Sequence, residues 1–327
     1  MKRRQLIGAM AVGLLAAPLS GAAQLSGRTP ARVGFLGFAS PSMQARSFDA
    51  FRQGLRDLGW IEGQNVTIES RWAEGDLERL PALAAELVRL NVDVIVTGGS
   101  AAVRAVQQAT RTIPIVSGAV LVDPVAGGFA ESLARPGGNY TGLASQYEEI
   151  VTKQVELLRE VVPRLSRLAI LHHTSVAPLT AKAAAAAADR LGLRAQILEV
   201  RQVAHFEGAF GTARRQRAQA LLVLPNPGFN AHRPTLVALA ASHRLPALYE
   251  QREFVTDGGL MSYGVDIAAM YGRAASYVHR ILNGAKPGDL PIERAAKFEL
   301  VVNLRTAKAL DLTIPPAVLA RADEVIR

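Results

Sequence analysis

Apolar positions along this chain change period repeatedly. Short runs of β-branched and aliphatic residues alternate with stretches where apolar side chains recur every three or four positions, the spacings of buried strands and amphipathic helices. Residues 32–37 read as a strand, and 43–58 then place Phe48, Phe51, Leu55 and Leu58 on one helical face. Val66 and Ile68 mark a second strand, and Leu80, Leu83, Leu87 and Leu90 repeat at helical spacing. Residues 92–97 read as a buried strand, 100–109 as a helix and 113–116 as another strand. Asp123-Pro124 opens a predicted helix to Ala134, Arg135-Pro136-Gly137-Gly138-Asn139 is a strong turn, and 140–143 reads as the strand leaving this unit.

A second series follows: helix 147–162, strand 168–171, helix 178–191, strand 194–200, helix 205–217, strand 221–224, helix 234–243 and strand 247–249. Strand-then-helix order repeated in this way predicts a parallel sheet covered on both faces. The chain thus reads as α/β, with two doubly wound parallel-sheet lobes of similar size and no residue-level repeat between them. The remainder is a strand at 258–263, a helix at 267–283 with Met270, Ala274, Tyr277 and Ile281 on one face, a strand at 298–302, and a last helix after Pro315-Pro316. These pieces are expected to return and complete both sheets through three crossovers. The predicted organisation is 1–23 export signal, 31–143 plus 266–292 first lobe, and 144–265 plus 293–327 second lobe.

The export signal rests on the N-terminus, where Lys2-Arg3-Arg4 precede an uncharged stretch 6–19 and Gly21-Ala22-Ala23 supply small residues for cleavage near Ala23. That stretch is too short and too rich in Ala and Gly for a membrane span, which needs about 20 apolar residues. The expectation is a diffusible periplasmic protein, exported by the general secretory route or, given Arg3-Arg4, by the twin-arginine route. The chain has no cysteine, which excludes disulfides, thiolate chemistry and a lipid-modified cysteine anchor. Its formal net charge of +9 falls to +6 without residues 1–23, and the basic residues are dispersed. No continuous basic face interleaved with aromatics is present, which argues against nucleic-acid binding. A monomer is expected.

In doubly wound sheets, ligands bind beyond the carboxyl ends of the strands. The positions there are Ser40, Gly98-Gly99-Ser100 and Asp123 in the first unit, and Thr174, Asn226, Tyr249-Glu250 and Tyr263 in the second. Gly98-Gly99 lets backbone approach a ligand, and Ser100 at a helix start suits a carboxylate; Ser100 and Ser40 read equally well as helix caps. Asp123 reads as a cap of the following helix or as the partner of a ligand amine, and Glu250 as a cleft carboxylate or a solvated loop residue. Trp60 and Trp72 read as packed against the domain face, with Trp72, Tyr147, Tyr249 and Tyr263 as the aromatics able to stack on a ligand ring instead. His172 and His173 are adjacent on a strand and point to opposite faces, and His205, His232, His243 and His279 form no ligand cluster with carboxylates, so no metal or other cofactor is expected. Nucleotide-binding G-x-G-x-x-G and G-x-x-x-x-G-K-[ST] loops and the G-x-S-x-G elbow are missing. Binding without catalysis is therefore the expectation.

Residues 50–65, Ala-Phe-Arg-Gln-Gly-Leu-Arg-Asp-Leu-Gly-Trp-Ile-Glu-Gly-Gln-Asn, resemble a hallmark of the bacterial ABC-transporter substrate-binding family often labelled as tryptophan/tyrosine uptake receptors. Further matches are Arg71-Trp72-Ala73-Glu74-Gly75, Ala84-Ala85-Glu86-Leu87-Val88, Asp123-Pro124-Val125, Ser132-Leu133-Ala134-Arg135-Pro136-Gly137-Gly138-Asn139, Gly258-Gly259-Leu260-Met261-Ser262-Tyr263-Gly264 and Lys297-Phe298-Glu299-Leu300-Val301-Val302-Asn303. The resemblance implies a type I periplasmic-binding-protein fold whose lobes close like a hinge on a small solute, delivered to permease subunits in the inner membrane. The solute expected is polar or zwitterionic, with an aromatic amino acid suggested by the family label; a ligand-sensing subunit for a membrane signalling receptor is the alternative. The chain departs from the family at Val120-Leu121-Val122, where relatives commonly carry a glycine beside the aspartate, and at Phe38-Ala39-Ser40-Pro41. Both departures border the expected cleft and bear on the ligand rather than the fold.

Overall fold

The computed structural model describes residues 30–120, 122–145, 147–174, 178–295 and 297–327. The expected export signal and its cleavage point lie outside the described residues, as do Leu121, Ser175 and the side chain of Tyr147.

The first unit alternates β1 (Ala31–Gly37), α1 (Ala45–Asp57), β2 (Val66–Trp72), α2 (Leu80–Arg89), β3 (Val94–Gly98), α3 (Ser100–Ala109), β4 (Ile115–Val120) and β5 (Tyr140–Ala144). The second contains α4 (Tyr147–Val161), β6 (Arg167–His173), α5 (Pro178–Arg190), β7 (Arg194–Val200), α6 (Phe206–Arg215), β8 (Ala220–Val223), α7 (Pro227–Ala231), α8 (Arg233–Ser242), β9 (Ala247–Tyr249), α9 (Arg252–Thr256) and β10 (Met261–Val265). The chain then returns through α10 (Ile267–Leu282) and β11 (Glu293–Arg294), and ends with β12 (Phe298–Asn303), α11 (Leu304–Ala309), α12 (Pro316–Leu319) and β13 (Glu324–Ile326).

Two sheets result, in the orders β11-β5-β4-β3-β1-β2 and β13-β12-β10-β9-β8-β6-β7. The first is parallel throughout; the second is parallel except where β10 meets β12. Strand order reverses between β1 and β3 in one sheet and between β6 and β8 in the other, and such switch points open a crevice at the carboxyl edge. The chain passes between sheets after β5, after β10 and after β11. Because β11 pairs with β5, the first sheet reaches two residues past 292.

Alternate side chains of each strand feed opposite faces. Phe35 packs with Phe51 and Tyr271 on one face of the first sheet, while Leu36 packs with Leu87 and Val103 on the other. Ile170 and Leu248 enter one core of the second sheet, and Leu171 and Tyr249 the other. Helix α10 is held against α1 by small residues: a methyl built on Gly54 would meet Ala275 Cβ at 2.9 Å and the Gly272 carbonyl even closer.

Three expectations are corrected. Residues 124–134 form turns in place of the predicted helix, because Asp123 Oδ1 accepts from Val125 N (2.8 Å) and Ala126 N (3.0 Å) and Gly128 sits at φ +72°. The strand expected at 258–263 begins at Met261, since Gly258 (φ +108°) and Gly259 close the turn after α9. The final helix is only Pro316–Leu319, and the chain then adds β13 beside β12.

Candidate functional site

The carboxyl edges of the two sheets face one cleft of about 1090 Å³, including its open mouth. The first sheet contributes the loop after β1 (Phe38, Ala39) and the end of β3 (Gly98, Gly99); the second contributes Asn226 after β8 and Glu250 after β9. These loops lie at or next to the strand-order reversals. The crossover segment supplies Val265, Ile267, Ala268 and Tyr271, and α1 supplies Arg46 and Ser47.

Tyr271 forms the cleft's aromatic floor. It is 2% exposed, its ring lies 5.7 Å from Phe35, and burial raises its hydroxyl pKa. The register between β3 and β4 shifts after Thr97, leaving Gly118 as the extra residue of a bulge. Methyls built on Gly98 or Gly118 would overlap Tyr271. Both glycines therefore exist to admit that ring.

The cleft's cations are already paired. Arg46 lies 3.8 Å from Glu253, 3.9 Å from Glu299 and 3.4 Å from Asp266, so a first-unit helix reaches carboxylates of the second unit and of the crossover. Arg252 bonds Glu299 at 2.7 Å and also Glu324, and Arg233 bonds Asp257 at 3.1 Å. Burial of Asp266 works against ionisation, yet the Ala269 N–H, Lys297 (3.1 Å) and Arg46 hold its carboxyl below the usual value.

Glu250 differs from these. It is 5% exposed, its Oε1 has no hydrogen-bond partner among the described residues, and burial pushes its carboxyl up to about 8. Its Cγ lies over Gly264, where a methyl would come within 2.7 Å.

The remaining sequence candidates separate clearly. Gly98, Gly99, Asn226 and Glu250 line the cleft; Ser40, Ser100, Asp123, Thr174, Tyr249 and Tyr263 are not among its lining residues. Ser40 Oγ is spent on Ser42 Oγ (3.1 Å) and the Met43 N–H (3.4 Å). Gly99 (φ +79°) takes the N-cap position of α3, which corrects the reading of Ser100 as the cap. The Gly99 N–H donates to Ala119 O at 2.8 Å and is not free for an anion. Asp123 is exposed and holds its turn. Thr174 is exposed at the end of β6, its N–H bonded to Val200 O. Asn226 caps α7 by accepting from Gly228 N (2.7 Å) and Phe229 N (3.3 Å). Tyr249 points away from the cleft into the core, stacked on Phe254 at 4.5 Å, because it is one residue out of phase with Glu250. Tyr263 stacks on Phe298 at 6.0 Å. Trp72 packs against Phe35 (5.3 Å) and Phe48 (5.4 Å), and Trp60 Nε1 donates to His279 Nδ1 at 3.1 Å. Sequence reasoning missed Arg46, Tyr271 and Arg252.

Residues 35–326 match the family described as ABC transporter substrate binding protein. The chain belongs to that family. Its members are binding proteins of ABC transporters, so the ligand is a small molecule and the functional partners are permease subunits. The chain is similar to a tyrosine-binding protein of Clostridioides difficile (strain R20291), 26% identical over 265 residues, covering 80% of this chain and 75% of that one. It is also similar to the solved ABC domain in complex with L-Trp from Streptococcus pneumonia: 26% identity, TM-score 0.84, covering 91% of this chain and 100% of that one. A leucine-binding protein, LivK, from Thermotoga maritima shares the fold at 11% identity, with TM-score 0.60 over 77% of this chain and 82% of that one. The fold of this substrate-binding protein is thus the type I periplasmic-binding fold.

Proposed function

We propose that the chain is the exported solute receptor of an ABC-type importer, a monomer that closes two lobes on a small zwitterion, first among them an aromatic amino acid. The lobes are the two sheets with their covering helices, residues 31–144 with 267–294 and residues 147–265 with 298–327. One observation carries the ligand class: the cleft combines an aromatic ring surface, Phe38 and Tyr271, with a buried carboxyl oxygen on Glu250 that has no partner among the described residues. A ring and an ammonium on one ligand would satisfy both. The two relatives named for tyrosine and L-Trp support the same class. The basic and apolar N-terminus supports export with cleavage near Ala23, and no helix of the described residues is long and apolar enough to cross a membrane.

Thermal-shift screening with aromatic amino acids, other amino acids, nucleobases, organic acids and sugars tests this reading. L-tryptophan or L-tyrosine at a hundred times its Kd stabilises the receptor by about 2.7 kcal/mol, which raises Tm by roughly 5 °C or more. A response to neutral sugars alone would refute the ligand class. Mass spectrometry of molecules released on denaturing the purified protein then names the resident ligand.

A further inference from the structure

We propose that Glu250 is the cleft's selector for a ligand ammonium, and that capturing such a ligand expels the Glu250 proton to solvent. This rests on the reading of the cleft as an amino-acid site and adds the coupling of capture to protonation.

The geometry isolates Glu250 among the charged residues of the cleft. Arg46, Arg233 and Arg252 each face carboxylates other than Glu250. Glu253 faces Arg46, and Glu299 faces both Arg46 and Arg252. From the other elements around the cleft come neutral groups: Tyr271 on α10, Asn226 at the start of α7 and Gly264 on β10. Among the described residues no cation is therefore placed to hold Glu250 ionised, and burial keeps its proton on until about pH 8. The unpartnered Oε1 lies in a side chain almost wholly shut off from water, yet the residue lines the space a ligand would fill.

An ammonium entering that space brings both missing elements, a positive charge and hydrogen-bond donors. The Glu250 O–H bond breaks, the proton goes to water, and the ligand keeps its own ammonium protons while pairing with the carboxylate. A hydroxyl ligand would bond to the neutral carboxyl and release nothing. An acid lacking the amine would gain nothing from ionising Glu250.

The test is calorimetric titration of the unmodified protein with L-tryptophan and L-tyrosine at pH 7, in buffers with different heats of ionisation. Close to one proton should be released per ligand bound at pH 7, and the release should be gone by pH 9, where Glu250 is already ionised and the free ligand begins to lose its ammonium proton. Affinity should rise about tenfold per pH unit up to about pH 8 and then turn over as the ligand amine deprotonates. Indole-3-propionate, which lacks the ammonium, should bind at least tenfold more weakly and release no proton. Glu250→Gln should lose affinity by about tenfold or more and lose the pH dependence. Binding of L-tryptophan with heats independent of buffer, or equal affinity for indole-3-propionate, overturns the proposal while leaving the receptor reading intact. These two results decide the matter even if the variant fails to fold. Failure of every amino acid to bind, with capture of another solute class, overturns both.

Discussion

Replacing Glu250 by Gln should stabilise the ligand-free protein, increasingly so as pH rises. The carboxyl is buried, Oε1 has no partner among the described residues, and burial pushes its pKa up to about 8, against 4.5 for an ordinary glutamate. In the unfolded chain it ionises at the ordinary value, so between these limits the unfolded state has given up a proton that the folded state still holds. Stability contributed by the neutral carboxyl is then fully present below about pH 4.5 and is lost as pH rises through about 8. At about 1.4 kcal/mol per pH unit the loss slightly exceeds 3 kcal/mol at pH 7 and nears about 5 kcal/mol above pH 8. Glutamine keeps the shape and cannot titrate. All other ionisable groups are common to both proteins and cancel in the difference. Urea denaturation of the two proteins between pH 4 and pH 9 measures it: they should nearly coincide at pH 4, with the variant ahead by several kcal/mol at pH 9. If the two sheets unfold in separate steps, the difference belongs to the transition that melts β9. Parallel stability curves across this range would refute the argument, because they would mean that Glu250 reaches water or a cation.

Asp123→Ala should cost about 1 kcal/mol of stability by chemical denaturation, as for loss of a cap, and leave L-tryptophan affinity unchanged, because its carboxylate serves the Val125 and Ala126 N–H groups. Gly118→Ala should cost about 1–3 kcal/mol through overpacking against the Tyr271 ring and also weaken binding, since the floor of the cleft must move; a thermal melt with and without ligand reads both effects. Arg46→Ala should cost only about 1 kcal/mol of stability, because the guanidinium is 43% exposed and Lys297 and Arg252 still pair the buried Asp266 and Glu299, yet it should increase the radius of gyration in small-angle scattering by releasing the contacts with Glu253 and Glu299.

Much of the fold was legible because periodicity is local. Helix α3 and strands β7 and β9 fall at the residues that pattern alone indicates: apolar spacing agrees with burial in α3 and β9, and in β7 Leu198 and Val200 are the residues that reach the core. The failures occur where short-range chemistry competes with pattern. Residues 124–134 carry apolar residues at helical spacing, but Gly127 and Gly128 and the Asp123 side chain offer the backbone a turn that satisfies its N–H groups first. Strand β13 was invisible for the opposite reason: three partly exposed residues acquire a strand conformation only by pairing with β12.

The site was legible as an edge but not as a set of side chains. The rule that ligands sit at strand carboxyl ends selected Gly98, Gly99, Asn226 and Glu250 together with six residues that do not line the cleft. Period two does imply that Tyr249 and Glu250 cannot both reach the cleft, and Tyr249 is large enough to be the core residue of the pair. What no local pattern contains is the partner at long range. Arg46 looks like one of many dispersed surface cations until its carboxylates, more than 200 positions away, are brought beside it. Tyr271 follows Met270 on a helix whose apolar face continues around it, and only the packing reveals that its ring reaches the cleft. The glycines are the trace it leaves in the sequence. A strand glycine weakens the strand unless something must approach its backbone closely. Gly98, Gly118 and Gly264 stand at neighbouring carboxyl ends, the first two under Tyr271 and the third under Glu250. They therefore outline the cleft's aromatic floor and its lone carboxyl before either is seen.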